Sequence, residues 1–214
     1  MKKLLLLGAG GHFRSVLDSV KLDDFDNISL IDTPNRLGHV THGLAVVGTD
    51  DDLPFLYNEG YQYAFITIGS DGRTVRRAAL YEKLQKIGFT VPAIIDRTAI
   101  VSSEAVVMEG AFVGKGCILN SGVQVGECCI VNTGSIIEHD SVIRDFAHIA
   151  PGCCLAGGVY VGKNTHIGMA SCILQTITVG SDSIIGAGSI VTRDIPSGVV
   201  AFGTPCKVRQ RIGE

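Results

Sequence analysis

From Ile95 onward every sixth residue is aliphatic: Ile95, Val101, Val107, Val113, Leu119, Val125, Val131, Ile137, Ile143, Ile149, Leu155, Val161, Ile167, Ile173, Val179, Ile185 and Val191. Ile, Leu and Val make up 60 of the 214 residues, so an unbroken run of this length has odds on the order of 10⁻⁹ by chance. Two residues before most of these positions stands a small residue: Ala99, Ala105, Ala111, Cys117, Cys129, Ser135, Ser141, Ala147, Cys153, Thr165, Ser171, Ser183 or Ser189. Glycine follows the aliphatic residue at 114, 126, 162, 168, 180 and 186. A helix repeats at 3.6 and a flat strand at 2, so a period of six selects short strands joined by tight corners. Each aliphatic side chain then stacks on its equivalent one coil away, which is a parallel β-helix. With three hexapeptides per coil, the repeats make between five and six coils, spaced roughly 4.8 Å apart.

Residues 1–93 obey another rule. Short apolar runs at 4–7, 28–31 and 63–68 read as strands, and amphipathic stretches at 11–20 and 73–87 read as helices, the second ended by Gly88. Strand, helix and strand in that order predict a parallel sheet. The chain therefore reads as two domains, an α/β unit at 1–93 followed by an all-β unit at 94–214.

The formal balance of 18 basic and 21 acidic residues gives −3, with no cluster of Lys or Arg long enough to track a phosphate backbone, so nucleic acid is not an expected partner. No apolar run approaches the roughly 18–20 residues of a membrane span. Met1-Lys2-Lys3 precedes only four leucines before a glycine, short of the about 7–15 residues of a signal-peptide core, so the expectation is a cytoplasmic protein without membrane partners. The cysteines number seven, with adjacent pairs at Cys128-Cys129 and Cys153-Cys154 and no CxxC, which argues against a disulfide framework or a zinc ribbon. Cys117, Cys129 and Cys153 fall in the small inward column and read as buried small hydrophobes.

Gly8-Ala9-Gly10-Gly11-His12 follows a strand and opens a helix, where backbone amides and the helix dipole favour a phosphate. A dinucleotide fingerprint would place a third glycine where Phe13 stands, so a mononucleotide-like ligand is expected. Asp32 closes the second strand and reads either as an acceptor for a ribose or base or as a turn acid in Asp32-Thr33-Pro34. In the β-helix, Glu138-His139-Asp140 follows the stacked Ile137, so His139 lies on or near a corner and projects outward. An imidazole beside a carboxylate is suited to general base catalysis, because the acid fixes the tautomer and stabilises the imidazolium. His148 and His166 lie one coil apart in one column, yet the His spacings give no close pair for a metal, and none is expected. His148 reads as a ligand contact at a subunit groove and His166 as an ordinary surface residue.

The opening Gly8-Ala9-Gly10-Gly11-His12, the run Asn132-Thr133-Gly134-Ser135-Ile136-Ile137-Glu138-His139-Asp140, the segment His148-Ile149-Ala150-Pro151-Gly152 and the tail Gly203-Thr204-Pro205-Cys206-Lys207 together resemble the bacterial hexapeptide-repeat sugar acetyltransferases. These are the enzymes that make N-acetylated UDP-bacillosamine, with their sialic acid O-acetyltransferase relatives. The resemblance spans nearly the whole chain. It implies a small Rossmann-like N-terminal domain that binds a nucleotide-sugar, a left-handed β-helix that binds acetyl-CoA, and a homotrimer with sites between subunits. It also implies His139 as base, Asp140 as its orienting acid and the Gly157 amide as oxyanion donor. His148 would lie near the thioester, with Met169, Ala187, Pro205 and Lys207 along acetyl-CoA. Gly8, Gly10, Gly11, His12, Asp32 and Gly69 would hold UDP. Two departures stand out: Ile68-Gly69-Ser70-Asp71-Gly72-Arg73 lacks an Asn often found after this Gly, and Cys206 replaces the usual Ala.

The expected function is acetyl transfer from acetyl-CoA to the 4-amino group of a UDP-linked amino-sugar in bacterial glycan synthesis, with no covalent acyl-enzyme. Sialic acid O-acetylation on the same scaffold is the alternative, and a non-catalytic nucleotide-binding or assembly module is the rival class.

Overall fold

The computed structural model describes residues 2–70 and 74–213, and the chain divides into two compact units. The first comprises Met1–Gly69 and Val75–Pro92; the second comprises Ser70–Thr74 and Ala93–Glu214. Ser70 and Thr74 join the second unit through bonds to His148 and Asn164. Asp71, Gly72 and Arg73, which belong to the motif with the missing Asn, lie outside the described residues.

In the first unit the strands are β1 (Lys3–Leu7), β2 (Asn27–Ile31), β3 (Val40–Thr41), β4 (Leu44–Gly48) and β5 (Tyr61–Ile66), in the sheet order β3-β4-β2-β1-β5. All pairings are parallel except β3 with β4. Leu4, Leu5, Leu6 and Leu7 are at most 1% exposed, as a central strand covered on both faces requires. Helix α1 (Gly11–Ser19) buries Phe13, Val16 and Ser19 at helical spacing, and α3 (Val75–Ile87) buries Leu80, Tyr81 and Leu84. Gly88, at φ +108°, ends α3 in the left-handed region that glycine enters freely, and the amides of Gly88 and Phe89 both bond to Leu84 O. The sequence reading passed over β3, β4 and the short helix α2 (Leu53–Asn58). β3 and α2 are too brief for a period to register, whereas β4 is as long as β1 and β2 and its apolar run Leu44-Ala45-Val46-Val47 carries the same strand signal; Pro54 stands in the first turn of α2, where proline is accommodated.

The second unit is the expected left-handed parallel β-helix. Two-residue strands stack into three faces. The first runs from Ile94–Ile95 through His148–Ile149 to Ile184–Ile185, and continues into Val199–Gly203 and the antiparallel Cys206–Arg211. The second runs from Ile100–Val101 through Ile136–Ile137 to Ile190–Val191, and the third from Val106–Val107 to Thr178–Val179. From Val113 to Val191 the stacked aliphatic column is at most 1% exposed. The small column lines the inner corners. Ser135 and Ser171 donate their hydroxyls to Ala150 O and Gly186 O, and the thiols of Cys117, Cys129 and Cys153 donate to Asn132 O, Arg144 O and Gly168 O. Burial pushes the Cys153 thiol up to about 11, which keeps it protonated and unreactive. The recurrent glycines have a steric cause, since a Cβ at Gly162 would lie 2.4 Å from Ser181 N and one at Gly168 would lie 2.5 Å from Ala187 N. The backbone of the next coil passes there. Among the described residues no helix is long and apolar enough to cross a membrane.

Candidate active site

The corner between the second and third faces stacks His139, Gly157 and Gln175 at 18-residue intervals, one above another. His139 and Asp140 form the corner after the strand Ile136–Ile137. Asp140 takes φ +59°, a conformation that Asp tolerates better than most residues. From there its Oδ2 lies 3.0 Å from His139 Nδ1. With Nδ1–H donating to the carboxylate, Nε2 is left unprotonated. Both side chains are exposed, so the pair is a poised acid-base group on the surface and a minor contributor to stability.

The imidazole lies over Gly157, where a Cβ would fall 2.5 Å from His139 Nε2 and 2.6 Å from Cε1. No side chain larger than hydrogen fits beneath the ring in its present place. Gly157 O accepts from Thr176 N, while no acceptor among the described residues takes the Gly157 N–H. His139, Asp140, Gly157, Ala156, Gly158, Gln175 and Thr176 line a surface cleft of about 490 Å³. Gln175 was missed in the sequence, although adding 18 twice to His139 leads directly to it. Just past the strand Ile136–Ile137, the Glu138 carboxylate accepts from Asn120 Nδ2 at 2.8 Å, which holds it against the preceding coil.

Met169 and Ala187 share a separate corner, between the first and second faces, while Pro205 lies in the hairpin between Val199–Gly203 and Cys206–Arg211, where the register against Ile184–Ile185 shortens from 18 residues to 16. Gly188 N bonds to Met169 O, and the Thr204 hydroxyl bonds to Gly188 O. Lys207 lies exposed on the terminal strand beyond them. Within one chain, the second face therefore separates Met169 and Ala187 from His139 and Gly157.

His148 also lies away from His139, on the first face, and is only 8% exposed. Its Nδ1 donates to Ser70 O at 2.9 Å, and Nε2 lies 3.4 Å from Asn132 Nδ2. The ring packs edge-on against His166 at 4.8 Å between centroids, so the two share a column as their spacing required. His166 departs from the surface position expected of it: it is half-buried, because the neighbouring ring covers one side.

In the first unit, a cleft of about 260 Å³ is lined by Gly8, Ala9, Gly10, Gly11, His12, Asp32, Arg36, Thr67, Ile68, Gly69 and Arg76. Every nucleotide-binding position expected from the sequence is in that set, joined by Arg36, Thr67 and Arg76, for which no motif gave a signal. Gly8 has φ +103°, and Cβ atoms built at Gly10 and Gly11 meet nothing within 4 Å, so the loop presents bare backbone to the cleft. Asp32 is tied into this wall. Its Oδ2 accepts from Ala9 N at 3.2 Å and from Arg36 at 3.1 Å, and its Oδ1 accepts from Thr33 N. Burial, aided by the Arg77 charge, lowers the His12 pKa to about 4, so its imidazole is neutral near pH 7. Among the described residues no group of three or more His, Cys, Asp or Glu is placed to hold a metal ion.

Residues 3–84 match the PglD N-terminal domain, and residues 108–139 and 158–193 match the hexapeptide repeat of succinyl-transferase. Perosamine N-acetyltransferase from Caulobacter crescentus, solved with CoA and GDP-perosamine, is similar at 31% identity, with 98% of each chain covered and a TM-score of 0.91. The acetyltransferase domain of PglB from Neisseria gonorrhoeae, solved with acetyl coenzyme A, is similar at 31% identity, with 97% of this chain and 99% of that chain covered and a TM-score of 0.89. Galactoside O-acetyltransferase from Lactococcus lactis is 48% identical over 52 residues, which is 24% of this chain. The chain spans about a quarter of the length of the curated relatives it matches.

Proposed function

The chain belongs to the bacterial hexapeptide-repeat sugar acetyltransferases, and we propose that it transfers acetyl from acetyl-CoA to the 4-amino group of a UDP-linked amino-sugar. The observation that carries this reading is the His139 imidazole, bonded through Nδ1 to Asp140 and held over a glycine that has room for nothing else. In the reaction the neutral amine attacks the thioester carbon while His139 Nε2 accepts the amine proton. The carbonyl oxygen becomes an oxyanion, which the Gly157 N–H is free to meet. The tetrahedral intermediate then expels the CoA thiolate, and the imidazolium returns its proton to that sulfur. Asp140 stabilises the imidazolium between the two transfers.

The cleft of the first unit supports a nucleotide-sugar acceptor, since bare loop amides, Arg36 and Arg76 suit a diphosphate. The separation of the two corner columns supports a homotrimer. Met169, Ala187, Pro205 and Lys207 and the buried His148 serve the His139 of another copy, where one chain alone holds them apart. Mass in solution tests this, and a fully active monomer would refute it. The match to galactoside O-acetyltransferases favours a second reading, with a hydroxyl as acceptor, as in sialic acid O-acetylation. Thiol release from acetyl-CoA across UDP-4-amino-sugars, CMP-sialic acid and free sialic acid separates the two. Release with none of them would support a non-catalytic module.

A further inference from the structure

The cleft at His139 is built in tiers, because the strands Ile136–Ile137, Cys154–Leu155 and Cys172–Ile173 pair in register and each turns the same corner. The first tier carries Glu138, His139 and Asp140, the next Ala156, Gly157 and Gly158, and the third Leu174, Gln175 and Thr176. Coils lie about 4.8 Å apart, so Gly157 stands about 5 Å and Gln175 about 10 Å from His139 along the prism. The chemistry changes from tier to tier. Acid-base groups give way to small residues, and these to an exposed carboxamide beside Leu174, which is 45% exposed. Among the described residues no partner takes the Gln175 carboxamide, and the residue lines the cleft that His139 opens into.

In the proposed assembly this corner meets Met169 and Ala187 of another copy, so Gln175 lines a groove between copies and not an open surface. Copies turned about an axis parallel to their prisms keep their coils level. Met169 follows His139 by five hexapeptides and Ala187 by eight, rises of about 8 Å and about 13 Å, so Gln175 lies between the two in height. An acetyl-CoA whose carbonyl carbon sits at the Gly157 tier carries its first amide nitrogen four single bonds further along, about 5 Å when extended. That amide reaches the Gln175 tier, and the two methylenes before it pass Leu174. A secondary amide offers one N–H and one C=O; a carboxamide accepts the first through Oε1 and donates Nε2–H to the second. We propose that Gln175 reads the first amide of the pantetheine arm, which makes it a specificity residue for acyl donors with an amide two methylenes from sulfur. This assignment rests on the acetyl-transfer reading.

The test compares S-acetyl-N-acetylcysteamine, which ends just past that amide, with its ketone isostere, in which a methylene replaces the N–H. Thiol release at a saturating UDP-4-amino-sugar or sialic acid acceptor is followed for the full chain, Gln175→Leu and Gln175→Glu, with circular dichroism checking each fold. Wild type should prefer the amide donor by about 3- to 10-fold in kcat/KM, the effect of one neutral hydrogen bond, and Gln175→Leu should bring that ratio to about one. Gln175→Glu retains an acceptor for the N–H and should retain the preference. In Gln175→Leu the KM for acetyl-CoA should rise by a similar factor, with kcat and the KM for the acceptor near wild type. A folded Gln175→Leu enzyme that keeps the wild-type preference would overturn the assignment and leave acetyl transfer standing, as would a KM rise confined to the acceptor. Equal use of the two donors by wild type would overturn it as well. A wild-type enzyme that releases no thiol from acetyl-CoA with any acceptor would overturn the transfer reading, and the assignment with it.

Discussion

Gly157→Ala is the most discriminating single change, because it adds one methyl beneath the ring assigned as base. The new Cβ would lie 2.5 Å from His139 Nε2 and 2.6 Å from Cε1, against an ordinary contact of 3.4–4 Å. The imidazole must therefore move by about 1 Å or rotate off its bond to Asp140. A misplacement of about 1 Å at a reacting group costs on the order of 10²-fold in rate. The corner is exposed and its backbone bonds involve Gly157 O, so the fold should survive with a change in stability within about 1 kcal/mol. Steady-state thiol release at saturating substrates should then show kcat down about 10²-fold, with the KM for the nucleotide-sugar little changed. The same substitution placed in His139→Ala should cost almost nothing further, because the ring it displaces is gone. A Gly157→Ala enzyme within a factor of about two of wild type would refute the positioning argument. So would a full additional 10²-fold loss on top of His139→Ala, which would assign the effect to the Gly157 amide alone.

His139→Ala should lower kcat by about 10²- to 10⁴-fold with little change in either KM, and Asp140→Asn should cost less, as steady-state kinetics with both substrates will report. Gly11→Trp should weaken binding of the nucleotide-sugar and leave acetyl-CoA binding intact, as calorimetry with each ligand checks; space around Gly11 is open, so the indole fills the cleft without unfolding the loop. Ile167→Ala should destabilise the β-helix by about 2–5 kcal/mol in denaturant unfolding, whereas Ile190→Ala on the outer surface should cost under about 1 kcal/mol. His12 titrates at about 4 when folded against 6.5 ordinarily, so its contribution is complete above pH 6.5 and is lost as pH falls toward 4. That loss is at most about 3 kcal/mol, and His12→Gln should flatten this part of the stability–pH curve.

What was legible in the sequence follows the length of each signal. Seventeen aliphatic positions at one period define the coils, and the same period places Gly157 and Gln175 over His139, because stacking turns an 18-residue interval into a neighbour. The first unit spoke more faintly. Leu4 to Leu7 and the glycine cluster announce a strand, a turn and a helix, but α2 has only six residues, too few for a helical period, and its local mark is Pro54 in the first turn. Arg36 and Arg76 reach the glycine loop only through the return of β2 and the start of α3, a meeting with no spacing rule behind it. The site in the β-helix had a subtler limit. Sequence motifs assigned His139, His148 and Met169 to one reaction, yet the repeat itself implies that they do not meet in one chain. Nine residues are half a coil, which turns His148 to another face, and thirty residues are five hexapeptides, which puts Met169 at another corner. The same arithmetic that builds the prism thus separates the groups, and an active site that uses all of them has to be closed by a second copy.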